Sequence, residues 1–204
     1  MGNNDHLQTI GKAVMGLENY RKRRRFRLLV EAALFVKAVQ HIDGVTRIAL
    51  IGSLTTNKSL PKDVDMLVTV TDDADVALVA QLGRKLAGHA QNFGCGGEVF
   101  LANPPGEYLG RTCPWGKCPP GIHKHCEPFQ CKERPRLYKD LGTLTLSKKI
   151  VAHPPIELWP RIIVRTPKIP DDVNQFLLRP LQEDLLPLVN QVQAYFQEDG
   201  VPLN

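Results

Sequence analysis

An α/β fold, with a mixed sheet flanked by helices, is what this sequence predicts. Three observations lead there. Residues 17–40 and 72–92 carry apolar side chains at helical spacing, and residues 46–51, 63–70 and 97–102 are short, β-favouring apolar runs. Proline marks where this regular part ends, because residues 1–103 contain only Pro61 and the other fifteen prolines lie in 104–204. Packed helices and strands exclude Pro from their interiors. The chain therefore reads as a core with an N-terminal helix (1–103), a cysteine-rich segment (104–150) and a proline-rich extension with helices (151–204). A length of 204 residues suits one well-cored domain with a small appendage.

The elements follow in order. In the first helix, Leu17, Tyr20, Leu28, Leu29, Ala32, Phe35, Val36 and Val39 form the apolar stripe, and Asp43-Gly44 breaks the chain after it. TRIALI (46–51) reads as a strand ending at Gly52. DVDMLVTV (63–70) alternates, with Val64, Met66, Val68 and Val70 on one face and Asp63, Asp65, Leu67 and Thr69 on the other. The second helix is expected to be capped by Asp72 or Asp73 and closed by Gly94. GEVFLA (97–102) is the third strand. Beyond it, residues 144–151 are a weaker strand candidate, and residues 173–197 read as helix interrupted by Pro180 and Pro187.

Hydrophobic residues at 43% and charged residues at 23% are ordinary for a globular protein. The apolar stretches are too short to span a bilayer. MGNNDHLQ lacks the basic-then-apolar order of a secretion signal, and His6 stands where myristoylation needs Ser or Thr, so a cytoplasmic location is expected. The net charge of +5 is unevenly spread. RKRRRFR (21–27) holds six cations, residues 108–149 hold nine Lys/Arg against three acids, and residues 170–204 hold six acids against Arg179 alone. Basic patches suit polyanions such as nucleotides or RNA, although RKRRRFR is equally readable as the solvated face of a helix.

The most specific stretch is IALIGSLTTNKSLPKDVDMLV. A strand ends in Gly52-Ser53, nine residues follow, and the next strand opens Asp63-Val64-Asp65. Period-two geometry puts both carboxylates on one strand face, about 7 Å apart. Hard cations such as Mg²⁺ take oxygen ligands and share them with substrate phosphates, and paired metals clamp the two oxygens of an in-line displacement. Gly52 permits close backbone approach. The Ser53 hydroxyl and the following amides can hold phosphates, more strongly if a helix starts there.

This pattern resembles the polymerase-β-type nucleotidyltransferase superfamily, whose signature is Gly-Ser, a short loop, then Asp-x-Asp. The resemblance covers residues 46–102 and implies a nucleotidyltransferase-like sheet. It further implies that Gly52 and Ser53 bind a nucleoside triphosphate, that Asp63 and Asp65 bind Mg²⁺, and that a third carboxylate on a later neighbouring strand ligates metal or acts as base. Glu98 occupies that place, where the family more often carries Asp. Lys62 stands where a small residue is usual before the first acid, and the frequent mid-loop glycine is missing.

A second constellation lies in CPWGKCPPGIHKHCEPFQC (113–131). Cys113, Cys118, Cys126 and Cys131 form two Cys-x4-Cys pairs seven residues apart, which suits tetrahedral Zn²⁺. Four thiolates satisfy the metal, so the site would be structural, with His123 or His125 as a substitute ligand. Such a segment has few core residues, and metal binding there replaces a core. Disulfides are not expected in a reducing compartment. Tyr108, Arg111, Arg134, Arg136 and Tyr138 set cations and aromatic faces beside the cluster, a patch fit for RNA or for a bound triphosphate. Residues 108–159 are similar to a bacterial group that pairs this transferase core with a cysteine cluster. Cys95 reads as a small buried residue rather than a ligand.

The expected activity is Mg²⁺-dependent transfer of a nucleotidyl group from a nucleoside triphosphate to an acceptor hydroxyl, carried on a small molecule, an RNA end or a protein side chain. The alternative is a zinc-stabilised nucleic-acid-binding or regulatory module without turnover.

Overall fold

The computed structural model describes residues 3–116, 136–139 and 153–183, and gives only the backbone course of residues 3–20. A long helix, α1 (Asn3–Val39), comes first. It starts well before the expected residue 17. Leu28, Leu29, Ala32, Val36 and Val39 are at most 1% exposed. Next come β1 (Val45–Ile51), a single 3₁₀ turn (Gly52–Thr55) and β2 (Asp63–Val70).

After β2 the chain makes a turn in which Thr71 Oγ1 donates to Asp73, and Asp75 caps α2 (Val76–Gln91) by accepting from the Leu78 amide at 3.1 Å. The cap expected at Asp72 or Asp73 is thus displaced, since Asp73 is used inside the turn. β3 (Gly96–Ala102) follows, then β4 (Tyr108–Thr112), β5 (Leu137–Tyr138) and β6 (Ile156–Trp159). These form one six-stranded mixed sheet in the order β5-β4-β3-β2-β1-β6. Only β2 and β3 pair in parallel, which requires the crossover that α2 provides.

One face of this sheet carries the core. Val64, Met66, Val68 and Val70 are completely buried with Ile48, Leu50 and Leu101, as their alternation predicts. α1 and α2 pack against each other and over this layer. The opposite face is not simply solvated, because Ala49, Asp65, Thr69, Phe100 and Glu157 on it are each below 10% exposed. The third described helix, α3, spans 171–182. Its pieces Asp171–Val173, Asn174–Leu178 and Arg179–Gln182 run on without a break, so Pro180 does not interrupt it. Proline removes one amide donor and crowds the carbonyl four residues earlier, and the wider π turn at Asn174–Leu178 accommodates both effects. Phe176 from this turn meets Phe26 of α1 edge to face at 4.7 Å. The expected interruption at Pro187 and the strand candidate at 144–151 lie outside the described residues.

Candidate active site

The site is assembled where β1 ends and β2 and β3 begin. In the ladder, Asp65 lies between Ile51 of β1 and Glu98 of β3, while Asp63 lies beside Gly96. Parallel register with period-two alternation therefore sets Asp63, Asp65 and Glu98 on one face of the sheet. Two glycines make room for the pair. Gly52 has φ of +73°, and a Cβ on it would collide with the Asp65 carboxylate. A Cβ on Gly96 would strike the Asp63 carboxylate. Glycine at 52 thus answers both a left-handed backbone and a close approach.

These neighbours govern how Asp65 titrates. Burial, with the Asp63 and Glu98 charges beside it, pushes its carboxyl up from the ordinary 3.8 to about 7, while the Lys58 ammonium opposes the rise. Asp63 and Glu98 are both exposed, and Glu98 is paired through Oε1 with Arg111 Nη1 at 2.5 Å. Arg111 in turn lies over the Tyr138 ring at 5.9 Å. The three acids are therefore electrostatic neighbours, but one of them is held by an arginine. Among the described residues no group of three or more His, Cys, Asp or Glu side chains is disposed to hold a metal ion.

The Gly52-Ser53 turn is a single 3₁₀ turn and not the start of an α-helix, so no helix macrodipole supports a phosphate there. It is stiffened locally by Thr55 and Thr56, whose hydroxyls donate to Gly52 O at 2.8 Å and Ser53 O at 2.9 Å. It is also tethered from a distance. Arg25 of α1 is 7% exposed and donates to Lys58 O at 2.7 Å and Leu54 O at 3.4 Å, while its other edge meets Asp172 of α3 at 2.5 and 3.1 Å. Arg24 similarly turns inward, to Cys95 Sγ at 2.8 Å and Gly94 O at 2.9 Å just before β3. The RKRRRFR run is thus neither a purely solvated face nor a free basic patch. Two of its arginines fasten the loops that flank the acids. Sequence reasoning missed Arg25, Lys58 and Gly96 as parts of this site, and only Lys58 carried a local signal, its place between Gly-Ser and Asp-x-Asp.

Of the four cysteines assigned to zinc, Cys113 is described, as a free thiol 3% exposed just after β4. Its amide donates to Arg136 O at 2.8 Å. Cys118, Cys126 and Cys131, with His123 and His125, lie outside the described residues. Cys95 is buried, as expected for a packed thiol. No described helix is long and apolar enough to cross a membrane. The chain matches no family model, no curated protein and no solved structure.

Proposed function

We propose that the protein is a nucleotidyltransferase that moves a nucleotidyl group from a nucleoside triphosphate to an acceptor hydroxyl. The observation that carries this reading is the placement of Asp65, flanked by Ile51 and Glu98 in the sheet, with the Gly52 backbone closed against its carboxylate. A buried Asp65 carboxylate, repelled by Asp63 and Glu98 beside a glycine turn, is suited to receive positive charge.

The residues divide the work as follows. Gly52, Ser53 and the turn amides take up phosphate oxygens, with Lys58 adding charge. Asp63 and Asp65 supply the hard oxygen ligands that a divalent cation needs. Magnesium held there would neutralise the triphosphate and stabilise charge on the oxygens of the displacement. The acceptor hydroxyl oxygen forms a bond to the α-phosphorus as the bond from that phosphorus to the pyrophosphate oxygen breaks, and pyrophosphate departs with the bonding pair. The hydroxyl proton passes to the Glu98 carboxylate. Cys113, Cys118, Cys126 and Cys131 would hold a structural Zn²⁺ apart from this chemistry, a role that the buried, free Cys113 thiol fits.

The Glu98–Arg111 ion pair favours a second reading, a nucleic-acid-binding or regulatory module on a core without turnover. One experiment separates the two. Purified protein is incubated with each labelled nucleoside triphosphate, Mg²⁺ and a cell extract as acceptor source, alongside Asp63→Asn and Asp65→Asn. The transferase reading expects label transfer by the wild type and none by either variant. Transfer that survives in Asp65→Asn, or no transfer by wild type to any acceptor, defeats it.

A further inference from the structure

Strands β3 and β4 stay paired only from Ala102↔Tyr108 to Phe100↔Arg111. Beyond Arg111 they part, and a cavity of about 570 Å³ opens between Gly97–Val99 on one side and Thr112–Trp115 on the other. Helix α2 lines it with Gly83, Arg84, Ala87, Gly88 and Gln91, of which Gly88 has open space where a Cβ would stand, whereas Gly83 lies against Val99 and Thr112. Two guanidinium groups, Arg84 and Arg111, and two aromatic rings, Trp115 and Tyr138, complete the wall. A volume of this size is within the roughly 300–1,000 Å³ typical of small-ligand sites.

The rim around Trp115 is built with care for its backbone and not for its ring. Arg136 donates to Trp115 O at 2.9 Å and Gly116 O at 3.1 Å, and Arg84 donates to Cys113 O at 3.2 Å. These bonds hold the backbone that carries Trp115, and the residue is 48% exposed. An exposed indole beside guanidinium groups offers a stacking face together with charge for an anion. Both guanidinium groups line the cavity, Arg84 with a donor on Cys113 O and Arg111 with one on Glu98. Glu98 is shared between this cavity and the acid pair, because it lies opposite Asp65 in the β2–β3 ladder.

We infer that this cavity binds a single nucleotide unit, its base stacked on Trp115 and its phosphate met by Arg84 and Arg111, and presents the sugar hydroxyl towards the Glu98–Asp65 edge as the acceptor. The binding half stands on the cavity itself, whereas the acceptor half rests on the transferase reading. The unit has two sources, the end of a single strand or a free nucleotide.

The test measures binding in EDTA, where no transfer occurs. A fluorescein-labelled mixed-sequence single-stranded RNA decamer is titrated with the full-length protein and competed with unlabelled decamer or with nucleoside monophosphates. Trp115→Leu should weaken decamer binding by about ten-fold or more, and Trp115→Phe should restore most of it, because stacking needs a ring and not an indole in particular. Competition by monophosphates at similar concentrations would identify the free nucleotide as the source, and competition by the decamer alone would identify the strand end. Absence of binding by either probe overturns the inference, as does binding that Trp115→Leu leaves unchanged. Decamer binding without transfer in Mg²⁺ and nucleoside triphosphates overturns the transferase reading and the acceptor half with it. Transfer to another acceptor by protein that binds neither probe overturns this inference alone.

Discussion

At the scale of single residues, Asp65 is where structure and chemistry pull against each other. Its carboxyl titrates near 7 in the folded protein, against 3.8 ordinarily, so between those values the folded state binds the extra proton. Stability is therefore full at acid pH, falls as pH rises from about 4 to about 7, and levels off above that. Each pH unit in this window is worth roughly 1.4 kcal/mol, so ionised Asp65 costs a few kcal/mol at pH 8. Asp65→Asn should raise the melting temperature at pH 8 and change little at pH 4. Mg²⁺ should raise the melting temperature of the wild type at pH 8 but not that of the variant. Thermal unfolding at both pH values, with and without the cation, checks this, and a wild type that is indifferent to both would refute the electrostatic account. Gly96→Ala probes the neighbouring carboxylate without a left-handed backbone, since Gly96 is not among the positive-φ glycines. Its methyl group should displace Asp63, lowering label transfer far more than it lowers the melting temperature. The two aspartates were legible in the sequence because a strand's alternation is local. Their glycine partner at 96 was not, because its role arises from register with a strand thirty-odd residues earlier.

At the scale of elements, the Gly-Ser turn keeps its place through residues that are remote in sequence. Arg25 joins α1, the 54–58 loop and α3, and its partner Asp172 stands 147 positions away. A run such as RKRRRFR reads in isolation as surface charge, and nothing within it distinguishes the one arginine that is buried at 7% exposure. The same limit applies to β5 and β6, two and four residues long, which are too short for a periodic signal and exist because β4 and β1 offer edges to pair with. Breaking a buried ion pair from one side leaves the other charge unmet, at about 3 kcal/mol or more. Arg25→Met should therefore be strongly destabilising by urea unfolding. Asp172→Asn, which keeps an oxygen acceptor, should cost less. Where Asp172→Asn remains folded, the loosened loop should raise the KM for nucleoside triphosphate with a smaller effect on kcat. An unchanged KM would mean that the clamp serves stability alone.

At the scale of the whole molecule, all three sequence segments feed one sheet, and the cysteine-rich segment does so through its ends. β5 is joined to β4 by only two residue pairs, Arg111↔Tyr138 and Thr112↔Leu137, and is extended by the Cys113 amide bond to Arg136 O. Two pairs alone are a weak attachment for an edge strand. That bond also sets Cys113 beside Arg136, described residues on either side of the stretch that contains Cys118, Cys126 and Cys131. A metal cross-link within that stretch would stabilise the edge strand and the Trp115 rim together, because binding energy at a structural zinc site is folding energy. Freshly purified, reduced protein should therefore carry close to one equivalent of zinc. Cys113→Ser should lose it and unfold at a lower temperature, with the loss of label transfer tracking the loss of folded protein. Asp65→Asn should do the reverse, keeping its zinc and its fold while losing transfer. Metal analysis, thermal unfolding and transfer on the same two variants separate the proposed structural metal from the proposed catalytic one. A zinc-free wild type would remove the cross-link, and would leave that edge to the short β4–β5 ladder, the Arg136 bonds and the buried Leu137.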